Sequence, residues 1–375
     1  MDLNSSFPPL APPDREDTLV AWLRLIRSRR VGAVTFHRLM DEHGDAHSAL
    51  EELPEIARAA GVKGYQVCDA VSAQRELQAG RRVGARLISC ACPDYPPALR
   101  DISDAPPLVW VRGETALLHR PMVALVGARN ASSLGQRMAR KLAADLSEAG
   151  FVTVSGLARG VDTACHSASL PGGTVAVLAG GVDVVYPREN ADLTEEIAKS
   201  GALISEQPIG LQPQARHFPR RNRIISGMAR AVVVVEAAAR SGSLITARNA
   251  LDQGREVLVV PGHPFDARAG GCNMLIRDGA TLVRGIDDII EAIGPATQTQ
   301  AELPLVPEGP AERPRVQTRA LHDQILHRLG PSPMAEDQLI RDLKRPAGEV
   351  TPELVNLELD GRIERQSGGL IALKH

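Results

Sequence analysis

The sequence predicts an α/β protein, a parallel-sheet core with a small helical domain before it and a winged-helix module after it. Three observations carry this. Short runs rich in valine and other apolar residues recur between residues 122 and 260, with helical segments between them. Strands that are apolar throughout are buried on both faces, and their alternation with helices implies right-handed crossovers and a parallel sheet. On either side of this core the apolar residues fall at helical spacing instead.

The elements follow in chain order. Residues 1–14 are polar and proline-rich and read as a loose tail. Residues 15–80 read as a small helical, SAM-like domain. Leu19, Trp22, Leu23 and Ile26 mark one helix, Val34, Phe36, Leu39 and Met40 a second, and Leu50, Leu53, Ile56 and Ala57 a third that Gly61 stops. Residues 93–113 read as an extended connector that includes Leu108–Val111 and packs as an edge element of the domain spanning 85–294. In that domain the strands are Met122–Val126, Phe151–Ser155, Thr174–Ala179, Ala202–Ser205, Ala231–Glu236 and Glu256–Val260. The helices include Leu134–Glu148, Asp192–Lys199 and Ser243–Gln253. This is a Rossmann-like arrangement, with its ligand site expected at the carboxyl ends of the strands. Residues 295–317, with five prolines, form a linker. In 318–375, helices around Leu321–Leu329, Met334–Leu343 and Thr351–Asp360 precede a two-stranded wing, Arg362–Arg365 and Leu370–Leu373 across Gly368-Gly369.

Composition sets outer bounds. A chain of 375 residues suits two or three domains. Its net charge of -2 gives no overall pull on nucleic acid, so any such partner must be recognised by local clustering. The five cysteines (Cys68, Cys90, Cys92, Cys165 and Cys272) lack zinc spacing and read as reduced structural thiols. No secretory leader and no apolar run of bilayer length is present, so a cytoplasmic protein with no membrane partner is expected. No metal or cofactor is expected either.

Four segments carry chemistry. Gly127-Ala128-Arg129-Asn130-Ala131-Ser132-Ser133 joins a strand to a helix. Gly127 permits a tight turn, amides at the helix start form an anion site, and Arg129 adds a bidentate contact. Ser132 or Ser133 serves there either as a ligand or as a plain helix cap. Ser155-Gly156-Leu157-Ala158-Arg159-Gly160-Val161-Asp162 is a second such junction. Asp162 and His166 invite an acid–base reading, but a helix-start residue and a packed partner explain them better. In the third segment no acidic residue stands between Glu206 and Glu236, while Arg216, Arg220, Arg221, Arg223 and Arg230 do, with His217, Phe218 and Asn222 interleaved. Arginine beside an aromatic suits a single-stranded backbone with a stacked base. Arg223 and Arg230, next to Ile224-Ile225 and a strand, have ion pairing as an alternative. Fourth, Arg240-Ser241-Gly242-Ser243 follows the strongest strand and makes another anion-ready turn.

In this order the motifs closely resemble the DprA/Smf family of DNA-processing proteins. The matching segments are VALVGARNASSLG, VSGLARGVDTACHSASL, VAVLAGGVDVVYPREN, ISEQPIG, HFPRRNRIISGMARAVVVVEAAARSGSLITARNALDQGREVLVVPG and GCNMLIRDGA, over about residues 85–290. The resemblance implies a single-stranded DNA binder that protects incoming DNA in natural transformation and helps load the RecA recombinase. It also implies a homodimer formed through the Rossmann-like domain, and no catalysis. The family's phosphate pocket maps onto Gly127, Arg129, Ser132, Ser155, Gly156 and Arg159. Its arginine and aromatic segment maps onto Phe218, Arg220, Arg221, Asn222 and Arg223. Ser241, Gly242 and Ser243 complete the expected contact set.

Two rivals are weaker. Pro171-Gly172-Gly173-Thr174 resembles half of the motif of nucleotide-binding phosphoribohydrolases, but it leads into the strand Val175-Ala176-Val177-Leu178 and not into a helix bearing a glutamate. A duplex-reading repressor is disfavoured because residues 318–375 carry eight Lys/Arg against nine Asp/Glu. A protein-contact or accessory role suits that module better.

Overall fold

The computed structural model describes residues 10–296, 315–330, 333–366 and 370–374. The residues fall into two compact units, Met1–Gln298 and Thr299–His375. Most of the expected tail and linker, and Gly368-Gly369, lie outside the described residues.

The first unit opens with four helices, α1 (Glu16–Arg27), α2 (Ala33–His43), α3 (Ala46–Ala59) and α4 (Ala70–Arg82). The first three follow the expected spacing. The fourth was not expected, because its sequence is dominated by Gln, Arg and Glu and only Ala73, Leu77 and Gly80 are buried. What holds it is tertiary. Its Gly80 lies flat on the Trp110 indole, where a Cβ would sit 2.2 Å from the ring. Glu76 accepts from Trp110 Nε1 at 2.9 Å and pairs with Arg27 at 2.8 Å, both charged side chains being nearly buried. Arg27 also donates to the Glu206 carbonyl at 3.1 Å. The helices and the sheet thus share one apolar core, in which Trp22, Leu77, Trp110 and Val175 belong to a single cluster. Glu76→Ala is expected to cost about 3 kcal/mol, since it strands a buried guanidinium and an indole N–H. Thermal melting measures this, and Glu76→Gln should recover part of it.

Next come β1 (Arg86–Ser89), α5 (Pro97–Arg100), β2 (Leu108–Gly113), β3 (Met122–Gly127), α6 (Ser133–Glu148), β4 (Val152–Ser155) and α7 (Val161–Ser169). These are followed by β5 (Thr174–Val177), α8 (Ala191–Ser200), β6 (Ala202–Ser205), α9 (His217–Met228), β7 (Ala231–Glu236), α10 (Ser243–Asp252), β8 (Glu256–Val259), α11 (Gly270–Arg277), β9 (Thr281–Leu282) and α12 (Ile286–Ile293). The nine strands form one sheet in the order β1-β2-β6-β5-β4-β3-β7-β8-β9. From β6 to β9 every pairing is parallel, and β1 and β2 are added antiparallel. Leu108–Val111 is therefore not an edge, because β1 covers it. The six apolar runs become β3 to β8. Their valines serve both faces: Val123, Leu125 and Val233 pack with α6, α7 and α12, while Ala124, Val126, Val232 and Val234 pack with α9 and α10. The strand order reverses between β3 and β7, which is the topological switch point.

The second unit contains α13 (Arg315–Arg328), β10 (Met334–Ala335), α14 (Glu336–Leu343), α15 (Ala347–Leu359), β11 (Ile363–Gln366) and β12 (Leu370–Leu373). Met334–Ala335 is strand rather than the start of a helix. It pairs with β12, so the expected two-stranded wing is three-stranded. Leu321, Ile325, Leu339, Val350, Leu354, Leu357, Ile363 and Ile371 close its own core.

Candidate nucleic-acid interface

At the carboxyl ends of β3, β4 and β5, three loops converge on a narrow cleft, partly open to solvent. The cleft can form because the second loop lies against the first. Gly160 has φ of +79°, and a Cβ there would meet the Ala128 carbonyl at 2.3 Å. Asp162, at the start of α7, accepts from the Gly156 N–H at 3.1 Å and the Ala158 N–H at 3.2 Å and so folds the turn. Asn190 holds the same turn by donating to the Leu157 carbonyl at 2.9 Å.

The wall facing these loops is α9. The arginine-rich segment forms this helix, and helical geometry sends its arginines in different directions. Arg221 turns inward and is 5% exposed. Its guanidinium fills the space above Gly156, where a Cβ would fall 1.4 Å from Nη1. Its Nε has no hydrogen-bond partner among the described residues. Burial lowers its pKa to about 10, against the pull of Asp162, so it is charged at neutral pH. Phe218, three residues earlier, has the Arg129 guanidinium over its ring, 5.1 Å from the centroid, and the Tyr186 ring beside it, tilted by 54° at 5.6 Å. Arg159 stands at the mouth, loosely paired with Glu189 at 3.6 Å. Leu178, Ala179, Val184, Pro187 and Pro213 supply apolar walls. The whole is a cationic slot with one tilted aromatic pair, suited to a phosphate and an adjoining flat ring.

The other expected residues are placed differently. Arg220 is exposed near the start of α9, and Asn222 is half-buried with its carbonyl accepting from Ser226. Arg223 is held by Glu206 at 2.6 Å and Asp104 at 3.2 Å, so its charge is spent within the fold. Arg230 donates to the Pro295 carbonyl. Ser155 is buried and donates to the Leu125 carbonyl at 2.6 Å. Gly127 packs on Val161. Ser132 caps α6, accepting from the Gly135 N–H at 2.9 Å, while its own hydroxyl and amide both donate to Glu236. The helix start expected to attract an anion thus already holds a carboxylate, at the switch point itself. Ser241 and Ser243 bond each other at 2.7 Å, and with Gly242 they do not line the cleft.

His166 is fully buried against Thr174, 2.7 Å from its hydroxyl, and burial followed by the nearby Arg221 lowers its pKa to about 3. It is a neutral packed residue. Gly173 leads straight into β5, whose Thr174 hydroxyl is used in this buried network. The five cysteines are free, and burial pushes Cys90 and Cys165 up to about 12 and Cys272 up to about 11. Among the described residues, no group of three or more His, Cys, Asp or Glu is placed to hold a metal ion. No described helix is long and apolar enough to cross a membrane.

Sequence reasoning missed Tyr186 as a site residue. The signal was present, since the chain has only three tyrosines and five phenylalanines and this one stands in the loop that follows β5.

Residues 86–294 match the family described as DNA recombination-mediator protein A. Residues 16–79 match the DprA-like N-terminal HHH domain and 309–369 the DprA winged helix domain. Protein Smf of Escherichia coli is 40% identical over 284 residues, 75% of either chain. DNA processing protein DprA of Bacillus subtilis is 43% identical over 58% of this chain and 75% of its own. Among solved structures, DprA of Streptococcus pneumoniae superposes with a TM-score of 0.57 at 37% identity, covering 66% of this chain and 82% of its own. DprA of Helicobacter pylori, described for its single-stranded DNA binding mode, superposes with a TM-score of 0.52 at 28% identity. That match covers 56% of this chain and 94% of the Helicobacter protein.

Proposed function

The chain belongs to the DNA recombination-mediator protein A (DprA/Smf) family, and from that premise we propose that it binds single-stranded DNA through the cleft between β3, β4, β5 and α9. The binding serves to protect incoming strands in natural transformation and to load the RecA recombinase. One observation carries the reading: Arg221 is a buried cation with an unpartnered Nε, at the floor of a cleft whose mouth holds Arg129 and Arg159. Buried Asp162 offsets part of the cost of that charge without hydrogen-bonding the guanidinium, and phosphate is the anion that suits the fork left open. Phe218 and Tyr186 add the flat surface that an unstacked base needs and a duplex does not offer. The contact set is Arg129, Arg159, Phe218, Arg220 and Arg221, with Tyr186 added. Gly156 and Gly127 make room, and Ser132 and Ser155 support the loops from behind.

The protein acts as a cytoplasmic homodimer formed through the Rossmann-like domain, by binding and not by turnover. The winged module contributes a protein contact. Its last helix shows Val355 and Leu359 to solvent, and its wing Arg365 is tied to Glu336 and Glu358, which leaves little to attract a duplex.

Anisotropy titration of single-stranded and duplex oligonucleotides across a salt series tests this. Single strands should bind more tightly, with a log–log salt slope of about −0.7 per phosphate neutralised. Arg129→Ala should weaken binding and make the slope shallower while leaving melting nearly unchanged, because the side chain is exposed. Equal affinity for blunt duplex would overturn the reading.

A further inference from the structure

A strand seated in the cleft must leave it, and the surface beside the mouth is suited to its next phosphates. A groove between α6 and α7 is lined by Gln136, Arg140, Arg159, Thr163, Ser167 and Asn190, among others. Arg159 lines both groove and cleft, so the two surfaces are continuous. The charged side chains lining the groove are both arginines, and no carboxylate lines it. Its polar floor is fixed in place: the Thr163 hydroxyl donates to the Ala158 carbonyl at 2.8 Å and Asn190 donates to the Leu157 carbonyl at 2.9 Å.

Arg140 is exposed and makes no ion pair among the described residues. Its helix explains why. One turn earlier stand Gln136 and Arg137, and one turn later Ala143 and Ala144, so no acid lies at i±3 or i±4. The adjacent Lys141, by contrast, is tied to Asp145 at 2.7 Å. The Arg159–Glu189 contact is long, with side chains 64% and 63% exposed, and such a pair is readily exchanged for a phosphate.

We propose that the α6–α7 groove is a second phosphate subsite on the path of the bound strand, with Arg140 as its principal contact and Arg159 shared with the cleft. This rests on the reading of the cleft as a single-stranded DNA site. It makes Arg140 matter only for strands long enough to pass the mouth.

The test is anisotropy titration of the full chain with labelled oligothymidylates of four and sixteen nucleotides, using wild type, Arg140→Glu and Arg129→Ala. Arg140→Glu should weaken the longer strand about tenfold and the shorter less than about twofold, with a salt slope on the longer strand shallower by about 0.7. No loss on the longer strand, or an equal loss on both, overturns the subsite. If Arg129→Ala then still weakens both lengths, the cleft reading stands without the groove. If Arg129→Ala weakens neither, the cleft reading falls and takes the subsite with it.

Discussion

Replacing Gly156 with alanine should reduce affinity for single-stranded DNA by about ten- to a hundredfold, the loss expected when a charge-assisted contact of about 1.5–3 kcal/mol is removed. The reason is steric. The added Cβ would lie 1.4 Å from Arg221 Nη1 and 2.3 Å from Cζ, so the guanidinium must leave the floor of the cleft. Gly156 is not among the glycines with positive φ, so the backbone itself accepts alanine. A double-mutant cycle gives the sharper measurement. If the glycine acts only by seating Arg221, Gly156→Ala adds nothing in an Arg221→Ala background, and the coupling equals the whole effect of the single change. Full affinity in Gly156→Ala, or additive losses, would detach Arg221 from the site. Thermal melting of each variant separates loss of binding from loss of fold, because Arg221 is also the countercharge of buried Asp162.

The second large effect concerns what the binding accomplishes. Wild-type protein should accelerate RecA filament assembly on strands already coated with single-strand-binding protein. The triple change Arg129→Ala, Arg220→Ala and Arg221→Ala should abolish that acceleration. A strand gripped by its backbone at a narrow cleft leaves neighbouring bases exposed, which is what a recombinase needs for nucleation. RecA-dependent ATP hydrolysis on coated strands reads the effect directly. Tight single-strand binding by the wild type without acceleration at any ratio would leave a strand-protecting protein and remove the mediator role.

Much of the architecture was legible in the sequence because its signal is local. The runs that became β3 to β8 are apolar at successive positions, and only a strand buried on both faces tolerates that. The glycine-bearing junctions after Val126 and Val154 marked the strand ends where the cleft opens. Arg129, Gly156, Arg159, Phe218 and Arg221 all line it. The fourth N-terminal helix escaped detection because its stability comes from Trp110, about thirty residues beyond Glu76.

What the tertiary structure alone decided is which charges are free. Arg220, Arg221 and Arg223 stand within four residues and look alike in sequence. On α9 each residue turns about 100° from the last, so the first meets solvent, the second enters the cleft over Gly156, and the third meets Asp104 and Glu206. The same holds for Ser132, an anion ligand by its local motif, whose hydroxyl and amide go to Glu236, 104 residues away. A sequence determines where donors and cations stand along the chain. Whether each is already satisfied depends on partners that only the folded sheet brings within hydrogen-bonding distance, and a site for a ligand is what those internal partners leave unmatched.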